Sequence, residues 1–210
     1  MKLKYKIITI TVAGMLAGTA AAQSGSESKV NAQDLKQNQS GLLNKQEMDL
    51  GNAKAGGKSN VTVKGVSQNQ AGLLNEQKLS IGNAQGKGSE SKVNAQDIRQ
   101  NQAGLLNKQQ MAIGNASGGG KSNVTAKDIK QNQAGLLNEQ KMAIGNASNK
   151  GESKVNASGI AQNQAGLLNK QQMAIGNAAN GGKSDVTIKG VKQNQSGLLN
   201  EQKMNVGNAQ

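Results

Sequence analysis

Six copies of one segment, each about 31 residues long, occupy residues 27–210. They begin near residues 27, 58, 90, 121, 152 and 183, and one valine near each start (Val30, Val61, Val93, Val124, Val155, Val186) marks the period. Each copy then reads Gln-Asn-Gln-(Ala/Ser)-Gly-Leu-Leu-Asn, as from Gln37 to Asn44. Each closes on Gly-Asn-Ala, from Gly51-Asn52-Ala53 to Gly207-Asn208-Ala209. A fixed period of about 20–50 residues is the mark of stacked units, none of which can bury its apolar face without a neighbour. The fold must therefore be a stack, and the open questions are what each layer looks like and what a stack is for.

Composition narrows the answer. Lys2, Lys4 and Lys6, the apolar run Ile7 to Leu16 and the small residues Ala20-Ala21-Ala22 read as a secretory signal peptide over residues 1–22, too short and wrongly flanked for a membrane span. Residues 23–210 are then an exported six-repeat unit. Its formal charge is +10, the whole chain's +13 less the leader's three lysines. Without His or Cys there is no basis for a His/Cys metal or haem site, for Cys or His catalysis, or for disulfide staples, and no cofactor is expected. The one aromatic residue, Tyr5, lies in the leader, so no stacking platform for single-stranded nucleic acid remains. The lysines are spread evenly rather than clustered, which argues against specific nucleic-acid binding. Apolar residues are only 34% of the chain, close to the composition of disordered segments, so a compact hydrophobic core is not expected.

Local pattern favours strands. In Asn107 to Ile113, alternate positions place Asn107, Gln109, Met111 and Ile113 on one face, with Lys108, Gln110 and Ala112 on the other. Upstream, Val93 and Ala95 share a face, and Ile98, Gln100 and Gln102 continue it after a break near Gln96-Asp97. Ala103-Gly104 reads as the corner between two strand regions, and Gly114-Asn115 as the end of the second. A helical solenoid is the competing fold, since Ala, Leu, Gln and Lys favour helix. The recurring mid-segment glycines Gly41, Gly72, Gly104, Gly135, Gly166 and Gly197 oppose it by cutting each copy into pieces too short for stable helices. The expectation is an all-β repeat solenoid, or cross-β stack, of six rungs with one rung per copy.

Such a stack sorts residues into columns whose members lie about 4.8 Å apart. One column reads Lys45, Glu76, Lys108, Glu139, Lys170, Glu201, and another reads Glu27, Lys58, Glu90, Lys121, Glu152, Lys183. Both alternate in sign, in opposite phase. Like charges in a column would repel, whereas alternation attracts each residue to both neighbours and fixes register. Duplication of a two-copy ancestor would also preserve such a pattern. Lys78, Lys141 and Lys203 appear two columns on, facing Glu47, Gln110 and Gln172. Two amide columns, Gln39, Gln70, Gln102, Gln133, Gln164, Gln195 and Asn44, Asn75, Asn107, Asn138, Asn169, Asn200, are expected to form ladders in which each side chain bonds those above and below. Gln37 and Asn38, with their equivalents, belong to the same set. The Leu42-Leu43 pairs and the column headed by Met48 are expected to supply the dry core. Neither terminal copy differs from the rest as a cap would, and an even number of copies lets the last continue into another molecule's first with the alternation intact. A head-to-tail polymer follows as the expectation.

The run Gln39-Ser40-Gly41-Leu42-Leu43-Asn44 and its five repeats resemble the Gln-x-Gly-x-x-Asn part of the curlin repeat of bacterial functional amyloids. The Gly-Leu-Leu-Asn-x-Gln run followed by Ala-Ile is similar to repeats of Fap-type fibre subunits. The chain departs from both: Gln46 stands where curlins have Ala, a later Gln is missing, and the long linkers and C-terminal cysteine pair of Fap subunits are absent. The resemblance implies export through an outer-membrane channel, nucleator proteins as partners, and assembly into biofilm fibres at the cell surface. The alternative is a monomeric β-solenoid adhesin or ice- or surface-binding protein, hinted at by Val61-Thr62-Val63 and Val186-Thr187-Ile188, although Thr alternates with Asn31, Asn94 and Asn156. A calcium-binding repeat is disfavoured because acids are few and Gly-Gly-x-Gly-x-Asp never occurs. An enzyme is disfavoured because Asp34, Asp97 and Asp128 have no His or Cys partner.

Overall fold

The period-two segments form strands, and equivalent segments of successive copies pair. The computed structural model describes residues 27–207 other than 52, 54–56, 87, 117, 119, 149–150 and 180–181. The leader, with Tyr5, and the final Asn208-Ala209 lie outside the described residues. Rung one comprises β1 (Glu27–Gln33) and β2 (Lys36–Leu50). Rungs two and three are the continuous strands β3 (Lys58–Ile81) and β4 (Glu90–Ile113). Rung four is β5 (Lys121–Ala134) and β6 (Leu137–Ile144), rung five β7 (Glu152–Ala165) and β8 (Leu168–Ile175), and rung six β9 (Lys183–Ser196) and β10 (Leu199–Val206). Every pairing is parallel and joins equivalent residues of neighbouring copies, as in Val61 opposite Val93 and Asn107 opposite Asn138. The molecule is an all-β solenoid with no helix among the described residues, so none that could cross a membrane.

Each rung is an arch. A first arm runs to the Gly-Leu corner, the chain turns, and a second arm returns so that the two face each other through side chains. Near the corner Gln102 Nε2 donates across the arch to Lys108 O (3.1 Å). At the far end Ser91 Oγ donates to the carbonyl of Gly82, which closes the preceding rung, and the same Ser–Gly contact recurs between successive rungs. A column of buried alanines (Ala53, Ala84, Ala116, Ala147, Ala178), linked by single parallel bridges, carries the chain toward the next layer.

The first arm contains a kink that keeps its inner face inward. Alternation slips by one residue at Asp34, Gly65, Asp97, Asp128, Gly159 and Gly190, all left-handed with φ between 52° and 72°. Ladder pairing skips this position, and Val66 and Ile98 on its far side return to the core. Asp tolerates a left-handed backbone better than most residues and Gly without penalty, which is why this column holds only those two.

The core divides along the arch. Away from the corner it is dry: Val93, Ala95, Ile98, Met111 and Ile113, with their equivalents, form one continuous apolar cluster. Toward the corner it consists of amides. The Met48 column belongs to the dry half, buried from Leu79 to Met173. The Leu42-Leu43 pairs do not, which corrects their expected place in the core: in the inner rungs these leucines are 39–46% exposed. Asn44 and Gln39 point into the arch, so the residues at the bend between them turn outward. Burial depends on a neighbouring rung. Met173 and Ile175 of rung five are enclosed, whereas Met204 and Val206 of rung six are 42% and 41% exposed.

Candidate functional site: side-chain ladders and the two end faces

The amide columns are hydrogen-bonded along their length. In the Gln39 column each Nε2 donates to the Oε1 of the preceding rung at 2.7–2.9 Å. The Gln37 column does likewise at 2.7–2.8 Å, the Gln46 column at 3.0–3.2 Å, and the outward-facing Asn38 column at 2.7–2.9 Å. The inner glutamines of the middle rungs are almost completely enclosed, and the ladder supplies the partners that their burial requires.

The Asn44 column does more than stack. Asn75 Nδ2 donates to Gly72 O of its own corner (3.1 Å), to Ala103 O of the next rung (3.0 Å) and to Asn107 Oδ1 (2.9 Å). One side chain thus ties its own bend, the neighbouring backbone and the ladder together, which accounts for Asn three residues after each corner glycine. The corner glycines Gly41, Gly72, Gly104, Gly166 and Gly197 have φ of 148–157°. They stack so closely that a Cβ on Gly72, Gly104, Gly135, Gly166 or Gly197 would overlap the carbonyl of the preceding corner.

Both charge columns are in register: Lys45 pairs with Glu76, Glu76 with Lys108, and so on to Lys170 and Glu201, while Glu27 pairs with Lys58, on to Glu152 and Lys183. Their side chains close into ion pairs at only two of these steps, Lys170–Glu201 (3.1 Å) and Lys121–Glu152 (3.5 Å). Elsewhere shorter routes compete: Glu139 reaches Lys141 two residues along its own rung (2.7 Å), and Glu27 reaches Lys29 (3.1 Å). Glu47 and Lys78 form a third inter-rung pair at 2.7 Å. The hydrogen bond from Lys78 holds the Glu47 carboxyl below its usual range, and Glu47 in turn raises the Lys78 ammonium. The stabilisation is therefore complete between the ordinary carboxyl and ammonium pKa values, and is lost as pH falls from the first through the lowered carboxyl pKa or rises from the second through the raised ammonium pKa. A fourth contact, Lys154 to Asp185 (4.0 Å), lies in a column where Lys alternates with Asn, a signal that a search for opposite charges alone passes over.

All these charges are substantially exposed, so each pair stabilises only weakly and its strength depends on salt. Replacing Glu76, Glu139 and Glu201 by Lys would make one column six lysines spaced by about 4.8 Å. We expect the unfolding free energy to fall by about 1–3 kcal/mol at low ionic strength. The difference should close in about 1 M salt, where charges are screened within about 3 Å. Urea titrations of the variant at two salt concentrations measure it, and equal midpoints at low salt would leave the column without an electrostatic role.

The ends of the stack are chemically complementary. Because four amide columns donate from each rung to the one before, rung six presents acceptor oxygens from Gln193, Asn194, Gln195 and Gln202, and Gln195 Oε1 is buried with no partner. By the same polarity, rung one turns the amide N–H groups of Gln37, Asn38 and Gln39 toward its open side. The Asn44 column runs the opposite way, so Asn200 Nδ2 faces out of rung six and Asn44 Oδ1 out of rung one. Residues 27–50 of rung one carry four acids, Asp34 at the kink included, against three lysines, and residues 183–206 of rung six carry four lysines against two acids. Laid rung six on rung one, two copies would set Lys183 on Glu27, Glu201 on Lys45, Asp185 on Lys29 and Lys203 on Glu47.

Among the described residues no group of His, Cys, Asp and Glu is arranged to hold a metal ion. Comparison with protein-family models, with curated proteins and with solved structures yields no match. The class defined by fold and site is a parallel β-solenoid with laddered side chains.

Proposed function

We propose that the chain is a secreted structural subunit that self-assembles head-to-tail into amyloid-like fibres outside a bacterial cell, at its surface or in a biofilm matrix. The observation that carries this reading is the complementarity of the two end faces. Rung six offers acceptors, a lysine excess and half-exposed Met204 and Val206, while rung one offers donors and an acid excess. Stacking one on the other extends every amide column, keeps the charge alternation and encloses the apolar residues, so addition of a subunit repeats the contact already made between rungs. Reversed stacking would set donors against donors. A heterologous contact of this kind does not close, and it generates a filament. The signal-peptide pattern of residues 1–22 and the resemblance to curlin and Fap repeats support export, with an outer-membrane exporter and a nucleator as partners.

The test is fibre diffraction and seeded growth on purified residues 23–210. Expected are a reflection near 4.8 Å along the fibre axis and a lag phase abolished by preformed fibres. A chain that stays monomeric through long incubation would sink the proposal. Thermal-hysteresis activity from that monomer would favour the ice- or surface-binding alternative.

A further inference from the structure

Twelve leucines, two at each corner, form an exposed apolar stripe along the whole length of one edge. They make two ridges with a furrow between them, floored and walled by leucine alone. The stripe exposes leucine surface on the order of 1,000 Å², above the few hundred Å² usual for the largest patch of a monomer and about what one partner contributes to a stable interface.

We propose that this edge pairs with the same edge of a second copy of the chain, antiparallel, about a two-fold axis perpendicular to the stack between rungs three and four. Period identifies the occupant. The furrow repeats at every rung, about 4.8 Å, and the groove beside the Leu43 ridge is bordered by the column that changes sign at every rung. A lipid surface has neither repeat, whereas another copy has both. Charge identifies the orientation. With six alternating rungs, antiparallel pairing sets rung one opposite rung six, two opposite five and three opposite four. Lys45 then faces Glu201, Glu76 faces Lys170 and Lys108 faces Glu139, an unlike pair at every level. Parallel pairing, about an axis along the stack, would carry the two charged columns to opposite sides of the furrow, where they do not meet and each lies beside the partner's Ser/Ala column instead. The pairing does not rest on head-to-tail stacking, because one isolated solenoid carries the entire stripe.

Cysteine cross-linking tests it, since the chain has no cysteine of its own. Leu73 in rung two and Leu167 in rung five are both exposed, so Leu73→Cys and Leu167→Cys leave the core untouched. Mixed under mild oxidation, the two variants should yield a disulfide-linked heterodimer at least tenfold above the dimer formed by either alone. Head-to-tail contact cannot produce it, because rungs five and two of stacked molecules lie about 14 Å apart, beyond disulfide reach. A homodimer of Leu73→Cys alone at the heterodimer's yield would overturn the antiparallel orientation. Absence of any cross-link, with leucine-dependent binding to phosphatidylcholine vesicles or without it, would overturn pairing altogether. As a second readout, Leu→Gln at the six outer-ridge positions beginning with Leu42 should halve the mass per unit length of fibres without slowing their elongation, and unchanged mass would count against the proposal.

Discussion

Replacing Gly104 by Ala should destabilise the solenoid by about 2–6 kcal/mol, although it adds a single methyl group. Two terms combine. At φ 153° an L side chain is strained, which costs about 1–3 kcal/mol. The new Cβ would also overlap the Gly72 carbonyl oxygen and lie 2.8 Å from both its carbon and Asn75 Nδ2. These are backbone atoms and a laddered amide, so nothing soft can yield, and the rungs must part, adding about 1–3 kcal/mol of overpacking. The corner hydrogen bonds of Asn75 would be disturbed with them. Leu105→Ala, one residue on and 44% exposed, is the control and should cost under about 1 kcal/mol. Thermal or urea unfolding of the two variants decides the matter, and near-equal losses would mean that the corners are not in close backbone contact.

Gln100→Leu should cost about 2–5 kcal/mol, and replacing the whole column should cost less per site than replacing one member. Gln100 is completely enclosed, donates to Gln68 Oε1 and accepts from Gln131 Nε2, both at 2.8 Å. Leucine fills the volume but leaves a buried acceptor above and a buried donor below, each worth about 1–3 kcal/mol when unsatisfied. Changing Gln37, Gln68, Gln100, Gln131, Gln162 and Gln193 together removes both partners at every step of the ladder and leaves only the long cross-arch contacts to Gln110, Lys141 and Gln172 carbonyls unmade, so the penalty should not scale sixfold. Urea unfolding of the single and sixfold variants checks the inequality. A sixfold loss in the sixfold variant would show that the glutamines act independently and that the ladder is not cooperative.

Much of this architecture was legible because a stack repeats its information. Six copies of Asn107, Gln109, Met111 and Ile113 at alternate positions leave one choice of inner face, and the structure adopts it. The slip near Gln96-Asp97 was visible as a break in that alternation, though the Asp/Gly column explaining it became plain only with the left-handed angles of Asp34, Asp97 and Asp128. The leucine pairs depart from the dry core expected of them for a physical reason. Two adjacent residues cannot both face inward on a strand, and at a bend hydropathy does not say which way the chain turns. Glycine stacking and the anchoring of Asn75 settle that direction, and they turn the leucines out. Ion pairing was legible as register but not as contact, because a lysine chooses among several carboxylates within reach. Glu139 takes Lys141 of its own rung, where column reading offered Lys108 and Lys170.

The amino-acid sequence by itself determined the rung count, the strand character and the residues that share a column, since identical segments in parallel register can only place like on like. Tertiary structure alone decided the sense of each bend, the direction in which every amide ladder donates, and hence which polar groups and which leucines face outward. Those depend on backbone approach and hydrogen-bond polarity between rungs, and no single copy of the repeat contains either.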